Sequence, residues 1–248
     1  MLIFISGKNK FKLLLKNINL IFENINYLNK KMENKKYNTI NINVITLGDC
    51  GVGKTSIIKR IKTGKFEEFY SPTVGFDFFV IKRKYEKKSL IISLNFKDTT
   101  GQEEYHGITN QYIRDSHIVL LVFSDLRTLD TIKNRWYTFY KQNANIDNSR
   151  FILVGNKSDI FGNDREQLVK QGEQFAEEID SLFLTCSAKS ADNMDNLDRY
   201  ITQEARRFID IVEKETEENK EKLKKNNEDK INLNKKVNDR NKGKSKCC

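Results

Sequence analysis

Positions 48–55, GDCGVGKT, combine three glycines with a lysine and a threonine hydroxyl. Glycines let the backbone curl until successive N–H groups converge, which is how a main chain surrounds a phosphate at a helix N-terminus. The stretch fits G-x-x-x-x-G-K-[ST], and it lies between a β-branched run and a helix-like run. This context predicts that Lys54 reaches phosphate oxygens and that the Thr55 hydroxyl binds Mg²⁺. A glycine-rich turn that binds nothing is the alternative interpretation.

A second chemical stretch, KDTTGQEEY at 97–105, holds acids, hydroxyls, a glycine and one amide in nine positions. It is too polar to belong to a core. Its amide, Gln102, has the chemistry to orient a water molecule for attack on a phosphate, and a plain polar loop is the other interpretation.

A third stretch, GNKSD at 155–159, selects the base. The Asp159 carboxylate can accept two hydrogen bonds from the N1–H and the exocyclic amine of guanine, whereas adenine offers no such pair. A site that leaves a buried polar group unpaired discriminates strongly against the wrong base. Asn156, Lys157 and Asp159 therefore disfavour an ATP-using enzyme with the same phosphate loop.

The three stretches must be positioned by the elements that precede them. Short apolar or β-branched runs, typical of strands, occur six times: 42–48, 76–84, 89–97, 117–123, 150–155 and 181–186. Helical periodicity occurs between and after them, at 54–63, 128–142, 164–178 and 193–213. This alternation predicts an α/β fold, a doubly wound and mostly parallel six-stranded sheet flanked by helices. The polar YEKK between the second and third runs predicts an antiparallel hairpin.

Charge is distributed unevenly along the 248 residues, whose formal net charge is +10. Residues 1–41 carry eight lysines and two glutamates, and residues 214–248 carry twelve basic and seven acidic residues, which leaves 42–213 at −1. A nucleic-acid-binding fold would carry its positive charge on the domain itself, so we expect no nucleic-acid partner. The four cysteines have neither disulfide nor zinc spacing, and no apolar run is long enough to span a membrane.

In these motifs the chain resembles the Ras-like small GTPases, over about 170 of its 248 residues. The resemblance implies a P-loop small GTPase fold, GTP and GDP as bound nucleotides, and Mg²⁺. Asp98 would hold Mg²⁺ through a water, Thr73 would bind it directly beside Thr55, and the catalytic residues would be Gln102, Lys54 and Gly101. The nucleotide-binding residues it implies are Gly48, Asp49, Cys50, Gly51, Val52, Gly53, Lys54, Thr55, Ser56, Phe66, Tyr70, Thr73, Gly101, Asn156, Lys157, Asp159, Ser187, Ala188 and Lys189.

Two positions depart from the family pattern. Thr100 stands where the family usually has alanine, and an extra hydroxyl beside the γ-phosphate predicts slow hydrolysis, since small misplacements at a reacting centre can cost about 100-fold in rate. Lys97 stands where the Rab branch usually has tryptophan, which puts binding by standard Rab effectors in doubt.

The chain ends in KSKCC, and a Cys-Cys pair resembles the double geranylgeranylation signal of the Rab branch. Two lipids on Cys247 and Cys248 would anchor the protein stably at a membrane surface, whereas one would not. TVGFDF at 73–78 also resembles the Rab branch. We therefore expect a monomeric Rab-like switch for vesicle transport, working with exchange factor, activating protein, escort or dissociation inhibitor, and effectors on the cytoplasmic face of endomembranes or vesicles.

The domain organisation follows from the same observations: a basic extension at 1–41, a GTP-binding domain at 42–213 and a flexible basic tail at 214–248. We expect translation to begin at Met32, with a second membrane-surface element at 1–31 as the alternative. Two other functions remain open, namely a slow or non-hydrolysing GTP-bound scaffold, if Thr100 blocks hydrolysis, and a Ras-type signalling switch.

Overall fold

The computed structural model describes residues 37–68, 76–99, 112–144, 146 and 149–243, with side chains described as far as Lys220. Six strands are present in these ranges: β1 Asn38–Leu47, β2 Phe76–Tyr85, β3 Leu90–Thr99, β4 Ile118–Phe123, β5 Arg150–Gly155 and β6 Leu182–Thr185. The α-helices are α1 Lys54–Thr63, α2 Leu126–Thr131, α3 Tyr137–Asn143, α4 Arg165–Glu178 and α5 Met194–Gly243.

The strands form a single sheet in the order β2-β3-β1-β4-β5-β6. β1, β4, β5 and β6 run parallel, with Leu47 opposite Leu121, Phe123 opposite Gly155, and Gly155 opposite Thr185. The carboxyl ends of these four strands consequently share one edge, where parallel α/β sheets place ligands. The predicted six-stranded, mostly parallel sheet flanked by helices is confirmed.

The centre of the sheet is buried on both faces. Every residue of β4 is 0% exposed, and β5 is buried apart from Arg150. One face packs against the helices that follow β4 and β5, through residues such as Leu129, Trp136 and Phe175. Unbroken apolar runs in the sequence therefore correspond to central strands, as predicted.

β6 is less buried than its apolar sequence predicted. Only Leu184 of this strand is fully buried, because β6 is the last strand in the sheet order and has a neighbour on one side only. Phe183 packs against Phe123 of β4, with ring centroids 6.3 Å apart.

The chain divides into two compact units. Within the described residues, the smaller unit contains 37–40 and 82–93, and the larger contains 41–81 and 94–243. In the smaller unit a 3₁₀ turn, Glu86–Lys88, joins the end of β2 to the start of β3, with Ser89 at φ 53°. So short a connection between neighbouring strands permits only an antiparallel hairpin.

The helical run after β4 starts two residues earlier than predicted and contains a π-helical turn. Asp125 caps α2 by accepting a hydrogen bond from the Thr128 N–H at 2.8 Å, and the Thr128 hydroxyl oxygen in turn accepts one from the Asp125 N–H at 3.0 Å. This reciprocal cap places the helix start at Leu126. Between α2 and α3, residues Ile132–Trp136 form a π-helix.

The last helix differs most from the sequence-based expectation. Met194, Leu197, Ile201, Ala205 and Ile209 are buried along one stripe of this helix, whereas Val212 is 42% exposed, and the helix does not stop at residue 213. α5 continues to Gly243, through most of the segment at 214–248 for which the sequence predicted a flexible tail. Lysine and glutamate are good helix formers, and their alternation in this segment favours a helix. Among the described residues, no helix is both long and apolar enough to cross a membrane.

Candidate functional site

The loop between β1 and α1 requires glycine at two positions. Gly48 has φ 147°, and a Cβ there would lie 2.1 Å from the Val122 carbonyl oxygen. Gly53 has φ 97° and caps the N-terminus of α1, and a Cβ there would lie 2.3 Å from Nδ2 of Asn156. Both left-handed conformations and both close approaches exclude larger residues, so the loop curls tightly over the start of α1.

Lys54 is held inside this loop. Only 4% of Lys54 is exposed, and its Nζ donates to the carbonyl oxygens of Gly48 and Asp49 at 2.8 and 2.9 Å. Burial lowers the pKa of Lys54 to about 8, although nearby Asp98, Cys50 and Asp49 favour the charged form. An anionic ligand would favour the ammonium further and compensate for its burial.

A carboxylate and a hydroxyl meet beside the lysine. The Thr55 hydroxyl donates to Oδ2 of Asp98 at 2.5 Å, and the Thr46 hydroxyl donates to Oδ1 at 3.2 Å. Asp98 is fully buried, and burial raises its pKa despite these hydrogen bonds and the charge of Lys54. Oxygen donors of this kind are what Mg²⁺ prefers, and a cation would compensate for the buried charge, so these residues fit the ion.

Asn156, directly after β5, connects two loops. Its Nδ2 donates to the Val52 carbonyl at 2.8 Å, and its Oδ1 accepts from the Ala188 N–H at 3.1 Å. Asn156 is 2% exposed, so water cannot replace these bonds. The amide therefore connects the loop after β1 to the loop after β6.

Asp159 is oriented from the loop after β6. The Ser187 hydroxyl donates to Oδ1 of Asp159 at 2.5 Å, and the Ser187 oxygen accepts from the Ser190 N–H at 3.0 Å. Between Asn156 and Asp159 the backbone turns through Lys157, which has φ 65°. This arrangement directs one carboxylate and the main chain of Ser187–Lys189 toward the same side of the sheet.

A cleft of about 510 Å³ lies over these groups. Eleven predicted nucleotide-binding residues line it: Gly51, Gly53, Lys54, Thr55, Ser56, Phe66, Asn156, Lys157, Asp159, Ala188 and Lys189. A second cleft, of about 590 Å³, is lined by Asn43, His117, Arg150 and Phe208 and contains none of the motif residues.

The remaining predicted residues fall into two groups. Gly48, Asp49 and Val52 contribute main-chain carbonyls to the contacts above, and Cys50 is exposed. The predicted residues Tyr70, Thr73, Gly101, Gln102, Cys247 and Cys248 lie outside the described part of the chain. Thr100, the departure from the family pattern, also lies outside it. In the described part, neither Cys50 nor Cys186 is in a disulfide, and burial raises the pKa of the Cys186 thiol to about 12.

Sequence reasoning missed two long-range contacts to this site. Arg60 of α1 donates through Nε to the Ala188 carbonyl at 2.7 Å and through a second nitrogen to the Lys189 carbonyl at 2.6 Å. The Trp136 indole donates to the Asp49 carboxylate at 2.9 Å. The partners are 128, 129 and 87 positions apart, and no local pattern marks such pairs.

Lys97, the departure from the Rab pattern, is nearly buried at the end of β3. It is 7% exposed, its Nζ donates to the Tyr112 carbonyl at 3.1 Å, and the ammonium lies 5.3 Å from the Tyr112 ring centroid. Burial lowers the pKa of Lys97, which Asp115 partly opposes. Phe78 packs edge-on against the same tyrosine and is 57% exposed.

The double role of Asn156 generates a stability prediction. Asn156→Ala removes the partners of the Val52 carbonyl and the Ala188 N–H, and each unsatisfied buried group costs about 1–3 kcal/mol. We expect the free energy of unfolding to fall by about 2–4 kcal/mol, measured by urea denaturation without added ligand.

The matched control is Asn134→Ala, which truncates an exposed amide on the helical run after β4. It should change the unfolding free energy by less than about 0.5 kcal/mol. Equal effects of the two substitutions would contradict the assigned role of Asn156.

Comparisons with known proteins agree with this geometry. Residues 43–207 match the model of the Ras family. The chain is 34% identical over 170 residues to Ras-related protein SEC4 of Candida albicans, covering 68% of this chain and 78% of the relative. It is 36% identical over 148 residues to Ras-related protein RabC of Dictyostelium discoideum, covering 59% and 74%.

A third relative is the GTP-binding protein ypt2 of Schizosaccharomyces pombe, which is 33% identical over 166 residues, covering 66% of this chain and 80% of the relative. The family model spans well over half of the chain, and the matched residues include the phosphate loop and both base loops described above. The chain belongs to the Ras family, as a divergent Rab-like small GTPase.

Proposed function

We propose that this chain is a GTP/GDP switch for vesicle transport, with the nucleotide bound in the cleft of about 510 Å³ over the phosphate and base loops. The observation that supports it best is the Asn156 amide, which places a phosphate-binding loop and a guanine-selective loop around one cleft. Other P-loop proteins share the first loop, but only the combination with Asp159 specifies guanine.

At the phosphate end, we assign the β- and γ-phosphates to Lys54 and to the main-chain N–H groups of the loop. Lys54 has little freedom, because two carbonyls hold its ammonium at the N-terminus of α1. The helix N-terminus adds a partial positive charge at the same point. Thr55 and Asp98 are the described residues that would hold Mg²⁺, whose charge would neutralise phosphate oxygens.

At the base end, Asp159 would accept hydrogen bonds from the guanine N1–H and exocyclic amine, and a main-chain N–H of Ser187–Lys189 would meet the guanine oxygen. The Ser187 hydroxyl donates to Oδ1 of Asp159 at 2.5 Å, so the carboxylate is already oriented before the base binds. Phe66 lines the same cleft and would lie against the base or its ribose.

Base selection can be tested by Asp159→Asn. The carboxamide presents one donor and one acceptor, which fits xanthine, whose 2-position is a carbonyl, better than guanine. We expect the affinity for GDP to fall by about 100-fold or more and the affinity for xanthosine diphosphate to rise, measured by calorimetry on nucleotide-stripped protein.

The control for this substitution is Asp164→Asn, which makes the same change of charge at an exposed residue five positions away. It should leave both affinities unchanged. If wild-type protein shows no preference for GDP over ADP, the proposed function fails altogether.

Family membership supports GTPase activity in general, and we propose that hydrolysis is slow without an activating protein. Gln102 would orient the attacking water and Gly101 would donate its N–H to the γ-phosphate. The hydroxyl of Thr100, which directly precedes Gly101 in the sequence, is the feature that would disturb the water.

Thr100→Ala should therefore increase the rate constant of GTP hydrolysis by about 10- to 100-fold, in single-turnover assays on preloaded protein. Thr63→Ala, which removes an exposed hydroxyl at the end of α1, provides the control. Equal rates for wild type and Thr100→Ala would remove the proposed role of Thr100.

The partners of the family as a class are exchange factors, activating proteins, dissociation inhibitors and effectors. We propose that this chain's effector surface differs from that of other Rab-like proteins at Lys97. This lysine places a cation over Tyr112, beside the exposed Phe78. A partner that packs on Phe78 would therefore lie close to Tyr112, whose ring is in contact with the Lys97 ammonium. Where the Rab branch has tryptophan at position 97, an indole would be present instead.

We propose that Cys247 and Cys248 carry geranylgeranyl lipids that hold the protein at the cytoplasmic face of endomembranes. The helical continuation of α5 from Val212 to Gly243 would span about 45 Å, compared with about 30 Å for a flexible chain of that length. This helical segment would therefore hold the GTP-binding domain farther from the bilayer than a flexible chain of the same length would.

The double substitution Cys247→Ser and Cys248→Ser should transfer tagged full-length protein from the membrane fraction to the cytosol, because it removes both lipid sites without shortening the chain. Ser245→Ala, which leaves both thiols, is the control. Unchanged membrane association of the double variant would contradict lipid anchoring at these residues.

A further inference from the structure

A tryptophan from outside the motifs reaches into the phosphate loop. Nε1 of Trp136 donates a hydrogen bond to Oδ1 of Asp49 at 2.9 Å, although 87 positions separate the two residues. Trp136 is 3% exposed, so its ring is fixed by packing. The contact therefore joins the helical run after β4 to the loop after β1.

The local helix geometry explains how the indole is held. Trp136 is the last residue of the π-helical turn Ile132–Trp136, which separates α2 from α3. Ile132 and Trp136 are both buried in the core cluster beneath the sheet. The Arg135 guanidinium lies 4.7 Å from the Trp136 ring centroid. Single π turns are frequent at functional sites, where the wider turn redirects a side chain.

Asp49 is held at two points as a result. Its main-chain oxygen accepts from Lys54 Nζ at 2.9 Å, and its carboxylate accepts from the Trp136 indole. Asp49 is the second residue of the phosphate loop, directly before the exposed Cys50. Because Asp49 is held in this way, the first residues of the phosphate loop are restrained.

We propose that Trp136 is a positioning residue for nucleotide binding: its hydrogen bond to Asp49 keeps the phosphate loop in its binding shape and slows nucleotide release. The proposal rests on the proposed function, because it concerns the same cleft. It adds a residue that touches no nucleotide and lies outside every motif of the sequence.

The direct test is Trp136→Phe in the full chain. Phenylalanine keeps an aromatic ring in the core but has no N–H to donate. We expect a fluorescent GDP analogue to dissociate about tenfold faster, because hydrogen bonds to charged groups contribute more than neutral ones. The measurement is release of the preloaded analogue into excess unlabelled GDP.

A double-substitution cycle separates the hydrogen bond from general packing. Asp49→Asn keeps an oxygen that can accept from the indole, whereas Asp49→Ala removes the acceptor. Trp136→Phe should still accelerate release in the Asp49→Asn background, and should change it by less than about twofold in the Asp49→Ala background. A packing role would give the same acceleration in both backgrounds, which would overturn the proposal.

Tyr140→Phe is the matched control on α3. It removes a buried hydroxyl that bonds to Ser149 at 2.7 Å, directly before β5 and not in the phosphate loop. This variant should be less stable to urea but release the GDP analogue at the wild-type rate. Wild-type binding combined with unchanged release from Trp136→Phe overturns this inference alone, whereas a wild-type chain that binds no GDP analogue overturns the proposed function as well.

Discussion

The Asn156 amide is the interaction on which the site depends. It has one donor group and one acceptor group directed to different loops, and at 2% exposure neither loop can replace it with water. Because a buried amide is costly to leave unpaired, the loop after β1 and the loop after β6 can move apart only by losing hydrogen bonds. The same amide explains the glycine at position 53, since a Cβ there would overlap Nδ2. The Asn156 side chain thus determines both the distance between the two loops and the need for glycine at position 53.

Burial of charge is the second constraint. Lys54 and Asp98 are both almost completely buried, and burial shifts both pKa values toward the neutral form: down for the lysine and up for the aspartate. Their mutual attraction and hydrogen bonds reduce this cost but do not remove it. A phosphate near Lys54 and a divalent cation near Asp98 would supply the missing opposite charges. The site is therefore built to gain stability from an anion and a cation together, which is what a nucleotide with Mg²⁺ provides.

Supports from distant segments give the site its rigidity. Arg60 ties α1 to the carbonyls of Ala188 and Lys189, and Trp136 ties the helical run after β4 to Asp49. Each support uses a planar donor group, and the rigid fork of the Arg60 guanidinium loses less freedom per hydrogen bond than a flexible ammonium would. Together they brace the phosphate loop and the base loop from the sides that a ligand does not occupy.

The sequence by itself determined the fold class, the helix Lys54–Thr63, the positions of the central strands and the residue types of the three loops. Spacing and periodicity are local properties, and the chemistry of phosphate and guanine restricts which residues serve. Only the tertiary structure decided the contacts of Arg60, Asn156 and Trp136, the edge position of β6 and the burial of Lys97, because these depend on segments far apart in the chain. It also decided the length of α5, since an apolar stripe indicates where a helix packs against a core and not where a charged helix ends.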